Sequence, residues 1–234
     1  MLDLVTTSFL IKTPVFDRDA LERYSSELFD EWDRYVETHL HLSDYALTLV
    51  IEEGSIKGKG TIAATALVLY IAIGNYGDFI SAVKTIQEQA SYVTNALFDK
   101  AKSRFQCIDT RGNSKTSNGE VFYLRRLFER VQRGQMTPDQ AIEEISQRWG
   151  EEATSSPEFL KDLASSLAAA PRYPEQLSLS DDSWEQCLDT DAPEREPKPR
   201  SPHAPEFPIP QQYRIEISRS SKGDKKKVKF TKVK

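Results

Sequence analysis

The chain has 234 residues, 38% hydrophobic and 29% charged, with a net charge of −5. That length suits one medium domain or two small ones. The two cysteines, Cys107 and Cys187, argue against a disulfide framework or a structural zinc ladder, and the opening residues show no basic and then apolar run of a secretory signal.

Residues 2–11 read as a strand, stopped by Pro14. Asp17 caps a helix predicted to run to about Leu40. Its apolar residues Leu21, Tyr24, Leu28, Trp32, Tyr35 and Val36 share one face. Asp19, Glu22, Asp30, Asp33 and Glu37 lie opposite, and the pattern predicts a solvated acidic face. Residues 45–62 alternate as a hairpin, with Gly54 in the turn. Gly58 and Gly60 weaken the return strand unless a helix or a ligand backbone approaches it closely.

From Gly60 to Gly77 no side chain is charged. A helix is expected over 61–73, with Leu67, Leu69, Tyr70, Ile71 and Ile73 either filling a core or entering a membrane. The apolar run from Ile62 is short for a bilayer span, and even the whole uncharged stretch reaches only about 27 Å as a helix. Lys57 and Lys59 would suit a cytoplasmic flank. After the break at 74–78, Phe79, Val83, Ile86, Ala90, Val93 and Leu97 form a heptad-like seam. It serves either packing within the domain or self-association as a short coiled coil.

Residues 106–119 read as a loop. "GNSKTSNG" has the composition of a phosphate-binding loop without its spacing. Residues 120–170 read as three short helices, with Gly134 closing the first, Thr137 and Pro138 opening the second, and Ser156 and Pro157 the third. The stretch "LFERVQRGQMTPDQAIEEI" resembles the helical hairpins of bacterial SHOCT modules, in which a glycine turn precedes a Thr-capped acidic helix. That family's downstream aromatic and lysine pattern is missing, so no function is carried across.

Residues 171–210 hold nine acidic and four basic side chains and are proline-rich; residues 211–234 hold two and nine. The first segment reads as an extended linker and the second as a basic tail or a lysine-rich hairpin that adds to an open sheet edge. The tail could instead fold back on the acidic residues of 181–191.

The fold expected is α+β. A small antiparallel sheet is packed by an amphipathic helix and a long broken helix within 1–105. A helical module follows over 120–170, then a disordered Pro-rich and basic tail. His39 and His41 lack a third ligand at metal spacing, adjacent Glu52 and Glu53 cannot act as a catalytic pair, and no Ser or Cys has a base partner. No enzyme activity, cofactor, metal or small-molecule ligand is expected. The expectation is a non-enzymatic accessory protein of bacterial type, cytoplasmic, with association at the inner membrane as the alternative. It would bind a protein partner or itself through the helical module and tail. Arg126, Arg130 and Arg133 share a helix face, and Lys225, Lys226, Lys227 and Lys229 crowd the tail. The alternatives are a membrane effector that inserts 60–77, helped by anionic lipid at the tail, and a nucleic-acid factor that uses the tail on phosphates.

Overall fold

Alternation at the N-terminus produces strand β1 (Leu2–Ile11), and Asp17 caps helix α1 (Arg18–His39) by accepting from the Ala20 amide at 2.6 Å. Strands β2 (Ala46–Glu52) and β3 (Ile56–Ala64) form the expected hairpin. Helices α2 (Ala66–Gly74) and α3 (Phe79–Arg104) follow. Next come β4 (Asn113–Ser117), α4 (Glu120–Gln132), α5 (Pro138–Trp149), the four-residue α6 (Glu151–Thr154) and α7 (Pro157–Ala169). Strands β5 (Gln212–Arg219) and β6 (Lys227–Val233) close the chain. The computed structural model describes residues 1–11, 16–53, 56–75, 78–105, 113–117, 119–173 and 212–233.

The six strands make one antiparallel sheet in the order β4-β1-β3-β2-β5-β6. It is larger than the small sheet expected. Of the two forms expected for the basic segment, it takes the hairpin on an open sheet edge, pairing with the outer edge of β2, and is not a disordered tail. Residues 113–117, expected as loop, pair with β1. Both differences arise from long-range pairing, which local composition does not encode.

The helix expected over 61–73 is also shorter. Thr61–Ala64 complete β3, with Ile62 and Ala64 buried and Thr61 and Ala63 half-buried. Thr65 then caps α2 through the Val68 amide. The apolar run thus hides a change from a period of two to one of 3.6. α2 and α3 are bent by 108° to each other. Among the described residues no single helix is long and apolar enough to cross a membrane.

One cluster of buried side chains runs from the sheet through the helical layer, and residues of α4, α5 and α7 belong to it. Gly58 and Gly60 show why the sheet accepts this layer. A Cβ at Gly60 would lie 2.6 Å from Leu97 Cδ2 and 3.0 Å from Trp32 Cη2; one at Gly58 would lie 2.0 Å from the Phe9 ring. The expected helix approach is made at Gly60 by α1 and α3; at Gly58 the space is taken instead by the Phe9 ring of the neighbouring strand. All six residues of the α3 seam are buried in the chain's own core. Beyond it, Phe79, Phe128, Trp149 and Phe159 stack in a chain of ring contacts at 5.0–5.8 Å.

Candidate functional site

Among the described residues, the helices cover one face of the sheet and no element covers the other. Strand alternation decides what the open face carries. Leu47, Leu49 and Ile51 of β2 and Ile215 and Ile217 of β5 point into the core, so their neighbours point away from it.

Register then lines these neighbours up in rows about 4.8 Å apart from strand to strand. The first row runs Leu10, Lys57, Glu52, Arg214, Thr231. The second runs Ser8, Lys59, Val50, Glu216, Lys229. The third is a hydroxyl ladder, Thr6, Thr61, Thr48, Ser218, ending at Lys227. Thr6 and Thr61 hydroxyls lie 3.5 Å apart. Among the described side chains of these rows, Lys57, Lys59, Arg214, Lys227 and Lys229 face Glu52 and Glu216; Asp3, exposed opposite Ala63 in the next row, is a third carboxylate on this face. Arg214 approaches Glu52 at 3.9 Å, a loose pair. A depression of about 500 Å³ opens among Ser8, Leu10, Val50, Lys57, Lys59 and Arg214.

The hairpin that completes this face is held from behind by α1. Arg219 Nη1 donates to Asp33 Oδ2 at 2.6 Å, and Tyr45 Oη donates to Asp33 Oδ1 at 3.0 Å. Burial, then the Asp33 charge, pushes the Tyr45 phenol well above its ordinary range. Lys226 reaches Asp30 at 2.7 Å and Ser26 at 2.6 Å; Lys222 reaches Glu37 at 3.0 Å. The Arg18 guanidinium sits 4.8 Å over the Phe230 ring. Asp44 Oδ1 accepts from the amides of Lys222 (2.8 Å) and Tyr45 (2.9 Å) and from Ser221 Oγ (2.9 Å). These bonds, the Lys222 amide first, hold the Asp44 carboxyl below its usual range. The acidic face of α1 is therefore not simply solvated: Asp30, Asp33 and Glu37 bind the basic hairpin. The expected contact with 181–191 lies outside the described residues, as do Cys107 and Cys187.

The expected contact residues are divided. Lys227 and Lys229 join the open face, Lys226 is engaged by α1, and Lys225 is exposed in the turn. Arg126, Arg130 and Arg133 belong to the helical layer. Arg130 pairs with Glu144 at 3.1 Å, and Arg126 lies 6.0 Å from the Tyr123 ring. Of the core-or-membrane residues, Leu69 and Ile73 are buried, whereas Leu67 is 53% and Ile71 48% exposed. Tyr70 is half-buried and donates to Asp162 Oδ2 at 2.6 Å. Lys57, Lys59 and Arg214, which are not among the expected contact residues, also lie on the open face. The signal was present in "IKGKGTI", where both lysines alternate with residues that must face the core.

Among the described residues no three His, Cys, Asp or Glu side chains gather as a metal site. The chain matches no protein-family profile, no curated protein and no solved structure.

Proposed function

We propose that the chain is a non-enzymatic interaction protein that holds a protein partner against the open face of its sheet. One observation carries this reading. Among the described side chains, five cations meet three carboxylates, Asp3, Glu52 and Glu216, on one exposed face of a chain whose total charge is −5. Such a face steers an acidic partner towards itself and fixes its orientation. In the first two rows the signs alternate, which suits the patterned charge of a protein surface better than a uniform array of phosphates. Its described side chains include no aromatic ring on which a nucleic-acid base would stack.

A photo-cross-linking residue at Ser8, exposed on the open face, tests this in cells against one at Gln147, exposed on α5. A discrete protein adduct is expected from Ser8 only, and it should disappear with Lys57→Glu/Lys59→Glu. Equal adducts from both positions, or none from Ser8, would sink the reading.

A second reading, contact with an anionic membrane, is favoured by Leu67 and Ile71, exposed one turn apart on α2. Binding to phosphatidylserine vesicles should then be lost in Leu67→Asp/Ile71→Asp. Binding that survives the double change removes α2 as the contact.

A further inference from the structure

Building on the reading of the open face as a docking surface, we infer that its occupant is an extended acidic peptide segment of the partner, laid along β3 with alternate carboxylates on Lys57 and Lys59. The argument is one of spacing, charge and shape.

Lys57 and Lys59 are two residues apart on β3, so both side chains leave the same face about 6.7 Å from each other. An extended peptide presents its own i and i+2 side chains on one side at that same interval. No other common protein element does so, because helical neighbours on one face are three or four residues apart. Glutamate or aspartate at alternate positions would therefore meet both lysines without strain.

The charges leave room for such a ligand. Glu52 is the one carboxylate lining the depression, and Lys57 and Arg214 flank it across the sheet. Lys59 lies between Ser8 and Val50 and faces no acid in its flanking positions. The cluster of Lys57, Lys59 and Arg214 thus exceeds its acid by two charges. The Ser8 and Thr61 hydroxyls on either side can donate to a carboxylate or a peptide carbonyl.

The shape decides between anionic partners. The apolar side chains of the site, Leu10 and Val50, line a depression rather than a protrusion. A bilayer-docking surface needs apolar groups that reach into the headgroups, ringed by cations. A single-stranded nucleic acid needs stacking platforms; Phe9 borders the depression, but it is 3% exposed with its ring over Gly58, and no exposed ring lies on the described open face. A peptide satisfies both the alternate cations and the apolar floor, its small apolar groups resting on Leu10 and Val50.

The test uses the full chain and two acetylated octapeptides of equal charge, one alternating glutamate with serine and one with the same residues in pairs. Amide NMR shifts are followed in titrations at low and high salt. The alternating peptide should bind about tenfold more tightly than the paired one. It should shift Ser8, Leu10, Val50, Lys59 and Arg214, weaken with salt, and lose its affinity in Lys59→Glu. Equal affinity for the two peptides overturns the inference. So does an oligonucleotide of equal charge that binds more tightly to the same residues. A chain with Asp181, Asp182, Asp189 and Asp191 changed to Asn and Glu185 to Gln should bind as the original does. A tenfold gain there means that the chain's own acidic segment fills the face, and overturns the assignment to a partner. Failure of both peptides with the Ser8 adduct intact refutes the peptide while leaving the docking face; loss of that adduct refutes the docking face itself.

Discussion

Arg219, the last residue of β5, grips Asp33 on α1 with both terminal nitrogens, and its guanidinium lies 5.3 Å from the Tyr45 ring centroid. The side chains are only 11% and 19% exposed. Removing one partner leaves a largely buried charge unpaired. Asp33→Ala should therefore cost about 2–4 kcal/mol, and it also strands the Tyr45 hydroxyl. Arg219→Ala should cost less when Asp33 is already gone. Urea unfolding of the two single variants and the double variant measures that coupling; strict additivity would show that the pair does not hold the hairpin.

The hairpin should also loosen in acid. The Asp44 carboxyl titrates below its ordinary value, held down by the amide of Lys222 and the hydroxyl of Ser221. A depressed carboxyl stabilises the folded state fully above its unfolded pKa. That contribution fades as pH falls from about 4 through the lower folded value. Amide exchange of β5 and β6, corrected for intrinsic rates, is expected to quicken over that window. In Asp44→Asn the part of the change due to this group should be absent.

Phe9 lies directly opposite Gly58, and its ring covers the glycine where a Cβ would be. Gly58→Ala should overpack this contact at a cost of about 1–3 kcal/mol. In a Phe9→Leu background the added penalty should shrink, because the shorter side chain vacates that space. Thermal unfolding of the four proteins in the cycle reads the difference. An unchanged penalty would place the obstruction elsewhere in β3.

Leu67 and Leu69 separate surface from core within α2. Leu67→Asp should move stability by no more than about 0.5 kcal/mol, since its side chain already meets solvent. Leu69→Asp buries an unpaired carboxylate at a 1% exposed position and should cost several kcal/mol. Circular dichroism melts of both variants check this. If Leu67→Asp unfolds the chain, α2 is packed more tightly than its exposure implies.

Lys227 and Lys229 lie on the last strand of the sheet, and lysines there discourage edge-to-edge pairing. Lys227→Val/Lys229→Val should raise self-association in sedimentation. Lys227→Glu/Lys229→Glu keeps a charged edge, so it should remain dispersed yet weaken the Ser8 adduct. A charge-reversed chain that keeps the full adduct would assign these lysines to edge protection alone.

Local chemistry made a good part of this structure legible. The Thr137–Gln140 capping box and Pro138 start α5 where expected. The spacing of Leu21, Leu28, Trp32 and Val36 selects the buried face of α1. In both cases the deciding interactions lie within a few residues of one another. The start of α2 was less legible because Ile62 and Ala64 are as apolar as Leu69 and Ile73, and composition alone does not report the period.

The open face belongs to the other category. The sequence by itself determined that lysines alternate at 57 and 59, that the end of the chain is basic, and that α1 has an acidic side. Only the tertiary structure decided that the basic end pairs with β2, so that through β5 Lys227 aligns with Thr48 and Lys229 with Val50 and Lys59, while Asp30, Asp33 and Glu37 hold the hairpin from behind. Strand register and charge pairing across more than a hundred residues depend on which edges remain free once the core has closed. A sequence read locally does not contain that information.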